Sequence, residues 1–336
     1  MRATIEQIAA YCGVSVATVS RVIANKDNVS AKTRDKVLKR MLEVDYATDK
    51  VSKLIDQNRR NAILFLAENI DRSSNVTLFR SVSRTFEEFN YATVLYECND
   101  AEKRNNAIEH AKALYSGCVV ISGSSGNAGL GVFENDKFPL VAIHWCNDFG
   151  KVNSVIDDLR RASYLAVKHM VKNGHRNIAL VSSGEAASGN IEIIDGYKQA
   201  CREFGLDYDK NRIYHSDLST HSGYDIIKRV ITENEGITGM VCANQDIVRG
   251  AMFRLFEEHM SVPGDMSFIA LNVDDGKDDM IKITSSGSSS KRIGELAARM
   301  LYDLINGNSS LGLPCNAKIV LDPEVVPGCT VRNLNE

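Results

Sequence analysis

Val16, Ala17, Thr18, Ser20 and Arg21 fall within six residues and carry groups that suit the edges of nucleic-acid bases. A guanidinium can give guanine two parallel hydrogen bonds, hydroxyls donate or accept, and Ala or Val can meet a thymine methyl. The elements that must hold these groups are two short helices. Thr4 and Gln7 have the spacing of a capping box at the start of the first. Ile5, Ile8, Ala9 and Cys12 recur at i, i+3, i+4 and i+7, which gives that helix one buried face. Gly13 stands where it must stop, since glycine accepts positive φ without steric cost. Ser15 caps a second helix that buries Val19 and Val22 and turns the five polar and small residues to solvent. Ala9, Gly13 and Val19 thus supply the close approach, the turn and the packed second helix of a helix-turn-helix. An ordinary helical hairpin at the start of an enzyme shares this spacing, and the next residues weigh against it.

After a polar loop at 23–29, Ser30 caps a third helix with Val37, Leu38, Met41 and Leu42 as its apolar stripe. Its first turn carries Lys32, Thr33 and Arg34, groups that can hold phosphates and so position a protein on DNA. Charge is divided accordingly. Residues 1–60 contain 12 Lys+Arg and 7 Asp+Glu, a net charge of +5, although the whole chain carries −3. A basic head on an acidic body implies a polyanionic partner for the head alone.

Residues 47–60 are polar, with an isolated apolar trio Val51, Leu54 and Ile55. Such a segment is a linker or a helix that forms only against a partner. From Asn61 the pattern alternates strand and helix. Strands are predicted at 62–68, 92–98, 118–122, 140–145, 155–157, 178–182, 212–215, 240–243 and 268–272. Helices are predicted, among others, at 79–89, 162–172, 195–204, 223–231 and 291–305. Most of the strands are near-continuous apolar runs, as in parallel strands covered on both faces. Their number exceeds one small sheet, so two doubly wound lobes with a cleft between them are expected. Ser285–Ser290 reads as a low-complexity tract.

Other chemistry is poorly supported. The eight cysteines form no C-x-x-C pair and suit reduced, buried thiols of a cytoplasmic protein. No histidine sits at zinc-ligand spacing, the Gly-rich stretch 126–131 reads as a loop, and no serine occupies a G-x-S-x-G elbow. No signal peptide or membrane span is expected. The sequence therefore predicts no catalytic residue, metal or cofactor. A sugar-processing α/β enzyme or a solute-binding module with an appended helical head is the alternative.

Together, TIEQIAAYCGVSVATVSRV at 4–22, VSAKTRDKVL at 29–38, Tyr46, GHRNIALV at 174–181, DGYKQACREFGL at 195–206 and CAN-x-x-x-x-x-GAM at 242–252 resemble the LacI/GalR family of bacterial transcription regulators. Within it, Val16-Ala17 looks most like the galactose-repressor branch. The resemblance implies a small all-α helix-turn-helix headpiece (1–46), a hinge segment (47–60) and an α/β, two-lobed, periplasmic-binding-protein-like body with parallel sheets (61–336). The first lobe is expected at about 61–158 and 286–314, the second at about 159–285 and 315–336. It also implies a homodimer on double-stranded, pseudo-palindromic operator DNA, usually as a repressor. No heptad tail follows Val331, so a dimer is the expected assembly.

The resemblance assigns Val16, Ala17 and Arg21 to base edges, and Thr4, Ser15, Thr18, Ser20, Asn25, Ser30 and Thr33 to phosphates. In the hinge it assigns Ser52, Leu54 and Ile55 to the minor groove. This chain departs from the family there. Thr48-Asp49 replaces a proline-asparagine pair, Ser52 an alanine and Ile55 the wedge leucine. For a small-molecule effector, possibly a sugar or derivative, the resemblance implies Phe79, His144, Trp145, Ile193, Asn244, Gln245 and Asn272. Ile193 replaces an arginine and Gln245 a carboxylate that clamp sugar hydroxyls in relatives, which points to an unusual ligand or none. Trp145 is a ring-stacking group or a half-buried interdomain residue.

Overall fold

The structure is a computed structural model that describes residues 5–23, 29–43, 61–98, 100–121, 138–144, 152–184, 189–233, 236–273, 281–307 and 317–335. It divides into two compact units, Met1–Asn61 and Ala62–Glu336. In the first, α1 (Ile5–Cys12), α2 (Val16–Ile23) and α3 (Ala31–Glu43) enclose a small core of Ile8, Ala9, Cys12, Val19, Val22, Val37, Leu38 and Met41. Thr4, the polar loop 24–28 and the segment 44–60 lie outside the described residues.

Among the described residues, the second unit has two six-stranded sheets. In chain order the first lobe forms β1 (Ala62–Ala67), α4 (Ser73–Glu88), β2 (Ala92–Glu97), α5 (Ala101–Leu114), β3 (Gly117–Ile121), β4 (Leu140–Ile143) and β5 (Asn153–Asp157). The second forms α6 (Leu159–Lys172), β6 (Ile178–Ser183), α7 (Asn190–Phe204), β7 (Ile213–Ser216), α8 (Thr220–Glu233), β8 (Gly239–Cys242), α9 (Gln245–Glu257), β9 (Ser267–Val273) and β10 (Ser285–Ser289). The chain then returns to the first lobe for α10 (Ser290–Asn306) and β11 (Lys318–Leu321), and ends in the second with β12 (Glu324–Val326). Sheet orders are β11-β5-β4-β3-β1-β2 and β12-β10-β9-β8-β6-β7. Every pairing is parallel except β10 with β12. Helices on both faces bury these parallel strands, and α10 brings Ile293, Ala297 and Leu301 into one core with Val119, Val141 and Val155.

Four expectations change. First, the serine tract is a strand. Ser285, Ser286 and Ser288 are buried in β10, and each hydroxyl finds an acceptor: Ile283 O at 3.2 Å, Ala162 O at 2.7 Å and Asp157 Oδ1 at 2.9 Å. A search for apolar, β-branched runs misses a strand whose small side chains are satisfied by hydrogen bonds. Second, β10 therefore lies in the second lobe's sheet, whereas the sequence assigned residues from 286 to the first lobe. Third, Lys318–Leu321 lies in the first lobe's sheet, paired with Ser154–Asp157, whereas the sequence assigned it to the second. The crossings fall after Ser289 and after Leu321. Fourth, β2 is an outer edge strand, and Val94, Leu95 and Tyr96 are exposed rather than covered. The predicted helices also start late, because periodicity begins at the first apolar pair whereas the backbone begins at the cap. Asp158 accepts from Arg161 N at 2.9 Å and Ser289 from Arg292 N at 3.2 Å.

Two features fix the geometry of the second unit. The Asp157 carboxylate, 3% exposed, accepts from Ser288 N at 3.0 Å and from Ser288 Oγ at 2.9 Å, so it ties together two of the chain's passages between lobes. Glycines bring α8 and α9 into backbone contact. A Cβ on Gly250 would stand 1.8 Å from Thr220 O, and one on Gly223 would stand 2.2 Å from Ile247 O. Gly250→Ala must force these helices apart. It is expected to lower stability by about 1–3 kcal/mol through overpacking, read as a fall in the denaturant midpoint.

Candidate functional site

The headpiece surface is built on two matching helix starts. Gly13 takes φ 62°, and Val14 N returns to Ala9 O at 3.0 Å, closing α1 so that α2 can begin. Ser15 Oγ accepts from Thr18 N at 3.1 Å and shares a hydrogen bond with Thr18 Oγ1 at 2.8 Å. Ser30 repeats this arrangement at α3: it accepts from Thr33 N at 3.3 Å and lies 2.8 Å from Thr33 Oγ1. With Val19 and Val22 fully buried, α2 turns Val16 (45% exposed), Ala17, Ser20 and Arg21 outward, while Thr18 is half-buried. Lys32 is exposed and Arg34 half-buried beside Ser30. This is a face of small groups, hydroxyls and cations flanked by two helix N-termini, where partial positive charge favours phosphate. The sequence reading missed one contact: the Arg40 guanidinium lies 3.3 Å from the centre of the Tyr11 ring, joining α1 to α3. Asn25, Ser52, Leu54 and Ile55 lie outside the described residues.

In the body, strands of both lobes end at the cleft, the usual binding side of parallel sheets. Six of the residues singled out for an effector lie among the described residues. Phe79 is half-buried and packs edge-on to Phe65, with centroids 5.4 Å apart. Ile193, 5% exposed, belongs to the apolar core of the second lobe. Asn244 is consumed by structure. Its Oδ1 caps α9 by accepting from Ile247 N at 2.9 Å, and its Nδ2 donates to Leu218 O at 2.8 Å. Gln245 donates to Ser285 Oγ at 3.1 Å and accepts from Arg249 Nη2 at 3.2 Å. Asn272 takes φ 69°, and its buried Oδ1 meets no donor among the described residues. Trp145 lies outside them.

Among the described residues, one open space lies between the lobes along a different set of side chains. A cavity of about 940 Å³ is lined by Asn69, Asp71 and Arg72 of the first lobe and mainly by residues 215–222 of the second. Hydrophobic period carries no signal for it, because its walls combine loops at strand ends with the polar start of α8. Arg72 donates to Asp217 O at 3.2 Å across the gap. Burial pulls its guanidinium below the usual range, against the raising effect of Glu68, Asp217 and Asp246. Six residues of this wall carry hydroxyl or amide groups, among them Asn69, Ser183, Ser219 and Ser222. No group of three or more His, Cys, Asp or Glu able to hold a metal occurs among the described residues. His175 is a satisfied core histidine, with Nδ1 2.9 Å from Thr238 Oγ1 and Nε2 3.1 Å from Arg332 O.

His144 ends β4 with φ 60°, and burial pulls its imidazole down to about 4. The ring is therefore neutral at pH 7. As pH falls from 6.5 toward 4 the unfolded chain takes up a proton that the folded chain refuses, so stability drops over that window. Denaturant unfolding at pH 7 and pH 5 is expected to show a smaller loss for His144→Gln than for the wild type. An equal loss would remove His144 as a source.

Comparison with known proteins follows the same division. A model of bacterial regulatory proteins of the lacI family matches residues 4–49. A model of the periplasmic binding proteins and sugar binding domain of the LacI family matches residues 60–318. The chain is 27% identical to the HTH-type transcriptional repressor PurR of Glaesserella parasuis serovar 5 (strain SH0165) over 343 residues, covering 99% of this chain and 100% of that protein. It is 28% identical over 314 residues to the HTH-type transcriptional regulator RegA of Clostridium saccharobutylicum, covering 91% and 93%. The lac repressor dimer bound to operator and the anti-inducer ONPF shares the fold, with TM-score 0.72 at 22% identity over 99% of this chain and 100% of that one. A complex of the transcriptional regulator CelR with cellobiose does so with TM-score 0.69 at 21% identity over 98% and 100%.

Proposed function

Because the chain belongs to the LacI family of bacterial regulatory proteins, we propose that it is a cytoplasmic repressor that binds a pseudo-palindromic operator as a homodimer. DNA-binding transcriptional regulation is the family's function. The operator, the assembly and the effector are what this reading adds, together with a body that carries out no catalysis. The observation that carries it is the outward face of α2, where Val16, Ala17, Ser20 and Arg21 stand on a helix locked by buried Val19 and Val22. One such helix spans few base pairs, so pairing two headpieces supplies both affinity and half-site spacing.

Exposed apolar side chains on the body support pairing. Val94, Leu95 and Tyr96 line the edge of the first lobe, and Phe253 (66% exposed) and Phe256 (80%) stand one turn apart on α9. Large exposed aromatics of this kind commonly mark an interface. Phe253→Glu combined with Phe256→Glu is expected to shift sedimentation from dimer toward monomer. A double variant that sediments like the wild type removes α9 from the interface.

The effector in this reading is a small polar molecule, a sugar or a derivative, held by the hydroxyl- and amide-bearing wall of the interlobe cavity. It acts by preferring one degree of lobe closure, and only that preference can move the DNA equilibrium.

Selection of bound sites from random DNA tests the main reading and should recover an inverted repeat. On that site Arg21→Ala is expected to cost about 1–3 kcal/mol of binding and to relax preference at one position in each half. A variant that keeps both affinity and preference would take Arg21 out of the base-reading set.

A further inference from the structure

α4 begins without a cap of its own. The residue at its N-cap position is Arg72, which offers no side-chain hydrogen bond to the helix start. An arginine carries only donors, and the first turn of a helix needs acceptors. The acceptor comes from the other lobe. Asp246, in the first turn of α9, takes Ser73 N on Oδ2 at 3.3 Å and Ser73 Oγ on Oδ1 at 3.1 Å. The start of a 16-residue helix in the first lobe is thus capped by a carboxylate of the second. The helix dipole adds to the attraction.

Arg249 completes the contact. Its Nη1 lies 2.8 Å from Asp246 Oδ1 and 3.2 Å from Ser73 Oγ, so one guanidinium bonds both sides of the cleft. Its Nη2 reaches Gln245 Oε1 at 3.2 Å, and Gln245 reaches Ser285 Oγ at 3.1 Å. The network therefore runs from the start of α4 through α9 into β10. Its base is rigid, because α9 is capped separately by Asn244 and pressed against α8 at Gly250. The Asp246 and Arg249 side chains are largely buried, at 14% and 27% exposure, so water screens them less than a surface pair.

We propose that Ser73, Asp246 and Arg249 form an interlobe latch that holds the body closed without an effector. Opening the cleft strips α4 of its cap and leaves Ser73 N to water. An effector then works against or alongside a closure that already exists. A ligand that fits the closed cleft adds to the latch, and one that wedges the lobes apart must break it. The latch rests on the geometry of the body and is independent of the operator reading.

The test uses the full chain as wild type, Ser73→Ala, Asp246→Ala and the double variant, with no ligand added. Small-angle scattering reads lobe opening, and amide hydrogen exchange reads the first turns of α4 and α9. Ser73→Ala alters no residue of α9, yet exchange of the Gln245–Ile247 amides is expected to rise about fivefold as the cleft opens, because the bonds of Ser73 Oγ to Asp246 and Arg249 are lost. Asp246→Ala should raise exchange at the start of α4 and enlarge the radius of gyration. The double variant should open by less than the sum of the two single effects, because both substitutions remove the Ser73–Asp246 contact and only the Arg249–Ser73 Oγ bond is left for Ser73→Ala to remove. Unchanged scattering together with unchanged exchange in the opposite lobe would overturn the latch, and Ser73→Ala alone decides if Asp246→Ala does not fold. Operator titration of the wild type is a separate measurement. Its failure would remove the regulatory reading and leave the scattering result standing.

Discussion

Polar groups brought together where the chain passes between lobes govern the body of this protein. The chain leaves the first lobe after β5, returns after β10 and leaves again after β11. Each passage lies near the interlobe gap, where backbone donors and acceptors no longer have neighbouring strands on both sides. Asp157 meets that need by accepting from both Ser288 N and Ser288 Oγ. Burial pushes its carboxyl above the usual range, and the two donors offset part of that effect. Gly287 beside it has no room for a side chain, because a Cβ would stand 2.9 Å from Asn272 N and 3.0 Å from Asp157 Oδ2. Close approach of three segments at one carboxylate lets two independent cores share a hinge.

The same economy of polar groups occupies two of the residues expected to touch an effector. Asn244 caps a helix, and Gln245 bridges Ser285 and Arg249. Their neighbour Asp246 caps a helix across the cleft. What remains open is the cavity toward β7 and α8, where Arg72 already meets Asp217 O. In the proposed latch these side chains set the starting point of lobe closure, and a ligand would act only through its preference for one degree of closure.

In the headpiece the logic is local. Ser-x-x-Thr appears twice, at Ser15–Thr18 and at Ser30–Thr33, and twice the serine hydroxyl takes the amide of the residue three ahead. Capping needs only residues a few positions apart, and so does the turn at Gly13. This is why the helix starts, the buried Val19 and Val22 and the outward Arg21 could all be read from spacing. The Tyr11–Arg40 stack could not, because 29 residues separate its partners and either side chain alone reads as an ordinary exposed group.

Sequence alone determined what depends on near neighbours and on hydrophobic period: the helix-turn-helix, the alternation of strand and helix, the two-lobed parallel architecture and the family. It placed most strands well because runs such as Ile63–Ala67 and Ile178–Val181 are buried on both faces and have no polar alternative. Tertiary structure decided what depends on distant partners. It made a strand of Ser285–Ser289, because those hydroxyls find Ala162, Ile283 and Asp157. It assigned Lys318–Leu321 to the first lobe through pairing with β5, and it left Val94 to Tyr96 exposed on an edge strand beyond which no described residue pairs. It also joined Ser73 to Asp246 across 173 residues. A hydrogen bond between remote residues leaves no periodic trace in a sequence, so this junction of the two lobes becomes visible only once the chain is folded.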